Sequence, residues 1–198
     1  MKKTLLLAML ASTTIMTSVK AEETSPAPMM IIVEQATLDK SAALKSIIEQ
    51  VKKKQAEIQK EMTGYETDLK AEDKKLTDEQ KTLSEKEFAK KRQDFEKKVH
   101  DVQGKLEIRR AQMELGVEEA KKKVYEAFLK VSEDLRNKSG AKVMIYKETV
   151  VTADPSLDRS KEALAALDKA LPSVAVTFKS EAEVKKQLQA MQPQVQVK

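Results

Sequence analysis

His100 is the only histidine in the 198-residue chain, and there is no cysteine. A single imidazole without a thiol or a second histidine leaves nucleophilic triads and transition-metal centres without their parts. His100 sits beside Lys97, Lys98 and Asp101, the setting of a solvated helix residue rather than of a pH switch. Acids such as Asp78 and Glu79 are numerous, but their neighbours are polar, so nothing there would lift a carboxyl into the range that general acid catalysis needs. Gly64, Gly104, Gly116 and Gly140 stand apart from one another, and no glycine-rich loop exists to cradle phosphate. The reading is of a protein that is not an enzyme, with no catalytic residue, no metal site and no cofactor.

One charged constellation remains. Lys90, Lys91, Arg92, Lys97 and Lys98 set five positive charges against Asp94 and Glu96. Such a cluster would attract acidic lipid head groups or anionic segments of another chain, or it would simply keep a long helix in solution, and solubility is the commoner use. Nucleic acid is a poor partner for it, because acids are interleaved throughout the chain.

The elements that carry these residues follow from composition. With 37 Lys and Arg, 32 Asp and Glu, 4 Gly and 5 Pro, the chain is too poor in glycine for a loop-rich fold and is built for long polar helices. Its start reads differently. Lys2 and Lys3 precede an apolar run from Leu5 to Met16, and Val19 with Ala21 forms a small-x-small pattern, so residues 1–21 are expected to be a signal peptide cleaved after Ala21. The run is shorter than the ~20 residues of a spanning helix. Removal takes Lys2, Lys3 and Lys20 and no acid, so the formal net charge falls from +5 to +2. Residues 22–28 read as a flexible leader.

From Leu44 apolar residues recur at Ile48, Val51, Ile58, Met62, Tyr65, Leu69 and Leu76, the alternating four-three spacing of a heptad seam. A second seam runs from Phe88 through Val99, Leu106, Met113 and Val124 to Val131. Between them Ser84 and Glu87 form a capping box, the start of a new helix. Folding about Ser84 places Leu44 opposite Val124, Val51 opposite Val117, Met62 opposite Leu106 and Leu69 opposite Val99, apolar against apolar. The expectation is an antiparallel hairpin over residues 44–136, with arms of ~60 Å at ~1.5 Å per residue. That stretch holds 23 basic and 21 acidic side chains in 93 residues, so it must project into water. Gly64 and Gly104 fall opposite each other under the same folding, a candidate hinge.

The flanks read as extended chain and short helices. Met29–Val33, Val143–Tyr146, Val150–Ala153 and Val174–Phe178 are apolar runs of strand length, Gly140 is a helix stop, Ser160–Leu171 is an amphipathic helix, and Ser180 with Glu183 caps a last one. The strand before the hairpin meets the strands after it only if the hairpin returns to its start. The fold class is therefore α+β: a small β-rich body, residues 29–43 and 137–178, with an inserted long antiparallel coiled-coil hairpin. Residues 179–198 are read as a C-terminal helix and flexible tail.

A signal peptide, a first strand, a long charged hairpin and then Thr152 to Asp158 (TADPSLD) between a strand and a short helix together resemble the Skp/OmpH family of periplasmic chaperones. The resemblance covers Met29 to about Phe178. It implies a homotrimer with the body shared among subunits, helical arms around a cavity, and ATP-independent holding of unfolded outer-membrane proteins in the periplasm. Under it Met62 and Met113 become adaptable apolar contacts for clients, and the basic cluster a contact for clients or for an acidic membrane surface. The arms carry few aromatics, a departure from the family's pattern. The competing reading is a structural coiled-coil spacer of the cell envelope.

Overall fold

The computed structural model describes residues 28–191. The expected signal peptide with its cleavage site, nearly all of the leader and the tail from Pro193 to Lys198 lie outside them.

Strand β1, Met30–Val33, is followed by a short helix α1, Ala36–Lys40, and then by the two long helices α2, Ala42–Glu79, and α3, Glu85–Lys138. The heptad spacing gives no sign of the division between α1 and α2. Ser41 makes the break: it leaves the helical conformation at ψ 148°, accepts from the Leu44 amide and donates to the Leu38 carbonyl at 2.7 Å. A second cap comes from far along the chain, where Asp168 accepts from the Ala42 amide at 2.7 Å. At the other end of the hairpin the capping box forms as expected, with Ser84 Oγ accepting from the Glu87 amide and the Glu87 carboxylate accepting from the Ser84 amide. Helix α3 stops at Gly140, whose φ of 69° is open to glycine at little cost.

β2, Val143–Tyr146, lies parallel to β1, pairing Met30 with Val143 through Val33 with Tyr146. Parallel neighbours need a crossover connection, and here the whole hairpin serves as one. Two helices complete the described chain, α4, Ser160–Ala170, and α5, Glu181–Met191. The molecule is mostly helical with a small two-stranded sheet, an α+β fold.

Two expected strands are corrected. Val150–Ala153 follows a 3-10 turn and reaches no sheet edge, with Val151 fully exposed. Val174–Phe178 is extended but pairs with no strand. Its polar backbone groups are taken by side chains of α2 instead: Ser46 Oγ accepts from the Val174 amide at 3.0 Å, Gln50 Nε2 donates to the Val174 carbonyl at 2.7 Å, and Gln50 Oε1 accepts from the Val176 amide at 2.9 Å. Alternation of buried valines therefore reports packing on helices here, not a ladder.

The core sits at the base of the hairpin, where Val33, Ala43, Ile47, Ala120, Val124, Phe128, Leu167, Val174 and Val176 form one cluster. The Phe128 and Tyr146 rings stack with centroids 6.5 Å apart. Ile48, expected on the seam, is 49% exposed, and its neighbour Ile47 is buried in its place. The base of α2 faces α4 and the C-terminal segment as well as α3, and that third partner turns the buried stripe by one residue.

Candidate functional site

The basic cluster lies on the first turns of α3, close to the hairpin turn, and most of its charge is already matched. Lys91 Nζ is 2.6 Å from a Glu79 oxygen, Lys98 Nζ 2.6 Å from Glu72, and Arg92 Nε 3.1 Å from Glu96. Among the described residues Lys90 and Lys97 have no such partner. Three of the five cations thus serve the hairpin itself, two of them by tying α3 back to α2. Exposed pairs of this kind contribute about 0–1 kcal/mol each. The observed ties are symmetrical about residue 85 rather than 84, because these long side chains flank the seam instead of filling it.

The other expected contact residues are not gathered with the cluster. Met62 and Met113 are half-buried further down the arm, and Met113 borders a shallow hollow of about 450 Å³ with Val117 and Lys121. From Lys98 to Met113 the helix rises by roughly 22 Å. Any contact surface on the arm is distributed along it. His100 is exposed. Gly64 and Gly104 are both helical, and a Cβ at either would meet no atom within 4 Å, so close packing is not what keeps them glycine. Next to them in each helix, Lys105 Nζ lies 2.9 Å from the Tyr65 hydroxyl and 4.5 Å above its ring centre. That hydroxyl contact, helped by Glu181 and Glu61, holds the Lys105 pKa above its ordinary value.

Thr152 to Asp158 acts as a stitch between the sheet and α4. Asp154 accepts from the Ser156 amide at 2.8 Å and sets the turn through Pro155. Asp158 accepts from the Ser160 amide at 2.9 Å and from its hydroxyl at 2.6 Å, and Ser160 Oγ in turn accepts from the Glu34 amide at 2.8 Å. Ser160's hydroxyl and amide, then Lys147 at 3.0 Å, hold the Asp158 carboxyl down at about 2. These residues border a hollow of about 700 Å³ that Val151 and Lys161 also line. No cluster of side chains among the described residues could hold a metal ion, and no described helix is long and apolar enough to cross a membrane.

Residues 29–167, most of the chain, match the family described as outer membrane protein (OmpH-like). The chain belongs to the OmpH-like family. No curated protein matches it. Among solved structures, one from Caulobacter crescentus, assigned as an OmpH-like outer membrane chaperone, superposes with a TM-score of 0.72 at 21% identity, over 77% of this chain and 91% of that one. At that identity the likeness is one of fold.

The OmpH-like match ends inside α4, so the segment from there onward falls outside it. That segment carries the ties that sequence reasoning missed. Arg109 binds Glu61 of α2 through two nitrogens, both at 2.9 Å, and reaches Glu181 of α5 at 2.8 Å. Its guanidinium is held more firmly charged by these acids, and the Glu61 carboxyl is lowered chiefly by its hydrogen bond to Arg109. Gln112 donates to the Lys179 carbonyl, and Lys179 pairs with Glu119. Gly116 looks in the sequence like one more isolated glycine. A Cβ there would stand 2.8 Å from the Thr177 carbonyl oxygen, so its bareness is what lets the C-terminal segment cross α3. A glycine on the buried face of an otherwise regular helical seam was the available signal.

Proposed function

We propose that this OmpH-like protein is an ATP-independent holdase chaperone of the periplasm that binds unfolded outer-membrane protein precursors in a cavity between helical arms. The observation that carries the reading is the arm: a two-helix projection with almost no interior, covered in charge, attached to a small base. An arm of this kind offers many weak contacts and no single enclosed site. Family membership and the fold shared with an outer membrane chaperone assignment support it.

In this reading residues 29–43 and 137–178 form a trimerisation body and residues 44–136 the arm. A two-stranded sheet is marginal alone. The stretch at Val150–Ala153, which pairs with no strand, together with exposed Val151 and Val143, gives a neighbouring copy something to complete. Three arms around a shared body hold a client by avidity, with Met62, Met113 and the two unmatched lysines, Lys90 and Lys97, among the contacts and Gly64 with Gly104 as the flexing level. An acidic membrane surface would be met by the same lysines. Release needs no nucleotide, since a client more stable once folded in the membrane leaves downhill. On export the signal peptide, residues 1–21, is removed after Ala21, so N-terminal sequencing of the exported protein should begin at Glu22.

The test is dilution of an unfolded outer-membrane barrel protein from urea, followed by light scattering. A holdase suppresses its aggregation near one trimer per client. Unchanged scattering would sink the reading in favour of the envelope spacer.

A further inference from the structure

The chain after α4 does more than end the fold. Val174–Val176 runs along α2, bound by Ser46 and Gln50. Phe178 lies under Lys54, one turn further up. Val176 and Thr177 cross α3 at Gly116, and Lys179 is held by Gln112 and Glu119 before the chain continues as α5. Ser180 and Glu183 cap that helix reciprocally, Val184 is fully buried, and Glu181 reaches the same Arg109 that already grips Glu61. One segment therefore touches both long helices from the level of Ser46 to that of Glu61, a rise of roughly 22 Å.

Beyond that level α3 loses its cover. It has no buried residue before Ile108, and α2 has none between Ile47 and Leu76. Gly64 and Gly104 stand three and five residues beyond Glu61 and Arg109, with no atoms over either.

We propose that residues 174–191 are a brace: they join α2 and α3 into a three-membered rigid unit up to Glu61 and Arg109 and so confine bending to the two-helix arm beyond, starting at Gly64 and Gly104. The brace sets the fulcrum and hence the length of arm free to move. The inference concerns mechanics and stands whether or not the arm holds clients.

Hydrogen exchange by mass spectrometry on the full exported chain tests it. The double variant Val184→Asp with Glu181→Gln releases α5 without touching the pair between Glu61 and Arg109. Residues 54–62 and 105–116 should then lose protection by about tenfold, while residues 66–103 and the base at 31–33 and 163–167 keep theirs. The isosteric single change Glu181→Gln leaves Val184 seated and should give about threefold in the same two stretches. Unaltered exchange in 54–62 and 105–116 in both variants overturns the brace. So does a rise of equal size over base and arm together, which would make the segment part of the core rather than a splint on the arm.

Discussion

The base and the distal arm of one hairpin are held by different physics. At the base, Ile47, Val124 and Phe128 are at most 3% exposed and pack with Leu167 of α4 and Val174 of the C-terminal segment. In the distal arm the same two helices continue with only Leu76 buried between Glu61 and Ile108, and exposed pairs such as Lys98 with Glu72 span the gap. A heptad seam alone therefore does not make a core. It becomes one where a third element covers the groove, and elsewhere it yields a soluble strut with little penalty for movement.

If that contrast is right, the largest effects belong to the base. Leu167 is fully buried, so Leu167→Ala should cost about 2–5 kcal/mol in equilibrium urea unfolding, whereas the same change at half-buried Leu69 should cost a fraction of that. Equal losses would erase the distinction. Gly116→Ala comes next, because the new methyl would press on the backbone carbonyl of Thr177, which cannot rotate away as a side chain would. Overpacking of this kind costs about 1–3 kcal/mol.

The mirror change in the distal arm should act the other way. Gly64→Ala with Gly104→Ala meets no atoms and removes two helix-weakening residues, a gain of about 1 kcal/mol at each and a higher arm melting temperature. Under the proposed hinge the stiffened arm should also protect large barrel precursors less well than small ones, as read by light scattering. Equal protection across client sizes would leave stiffness irrelevant.

How much of this was legible in the sequence follows the same divide. The distal arm is made of local rules, heptad spacing and a capping box at Ser84, and these could be read without a structure. So could β2 and the stop at Gly140. The base depends on which distant segment lies on which face, and there the reading slipped: the seam pointed to Ile48 where Ile47 packs, and Val174–Phe178 has the pattern of a strand although Gln50 and Ser46 satisfy its backbone. Site residues followed suit. The basic cluster was visible as a run of letters, but Lys91 and Lys98 find their acids twelve and twenty-six positions away, across a turn. Arg109 looked like one charge among many because its partners come from two other helices.

Acid should also separate the regions. Asp158 stitches the base, and its folded pKa of about 2 lies below the ordinary 3.8, held there by Ser160 and Lys147. A depressed carboxyl contributes stability that is present above about pH 4 and lost as pH falls through 4 toward 2. Base unfolding, followed by the near-ultraviolet signal of Tyr146, should thus show an acid limb in that window, and Asp158→Asn should flatten it. A limb of undiminished size in that variant would place the titration elsewhere.

The most direct comparison, and at its distal end the smallest effect, comes from two cross-hairpin ion pairs that differ mainly in where they sit. Lys98 with Glu72 is a distal pair whose lysine side chain is 58% exposed, while Arg109 with Glu61 is a two-point pair near the brace whose arginine is 18% exposed. Water screens the first and a flexible lysine must be ordered to form it, so a double-mutant cycle to alanine should give about 0.2–1 kcal/mol, reduced further by salt. The planar guanidinium needs less ordering per bond and is shielded by α5, so its cycle should give more, about 1.5–3 kcal/mol, with weaker salt dependence. Removing α5's contribution through Val184→Asp should bring the second value down toward the first. Coupling at Glu61 that stays high after that change would mean the pair gains its strength from its own geometry and not from the cover above it.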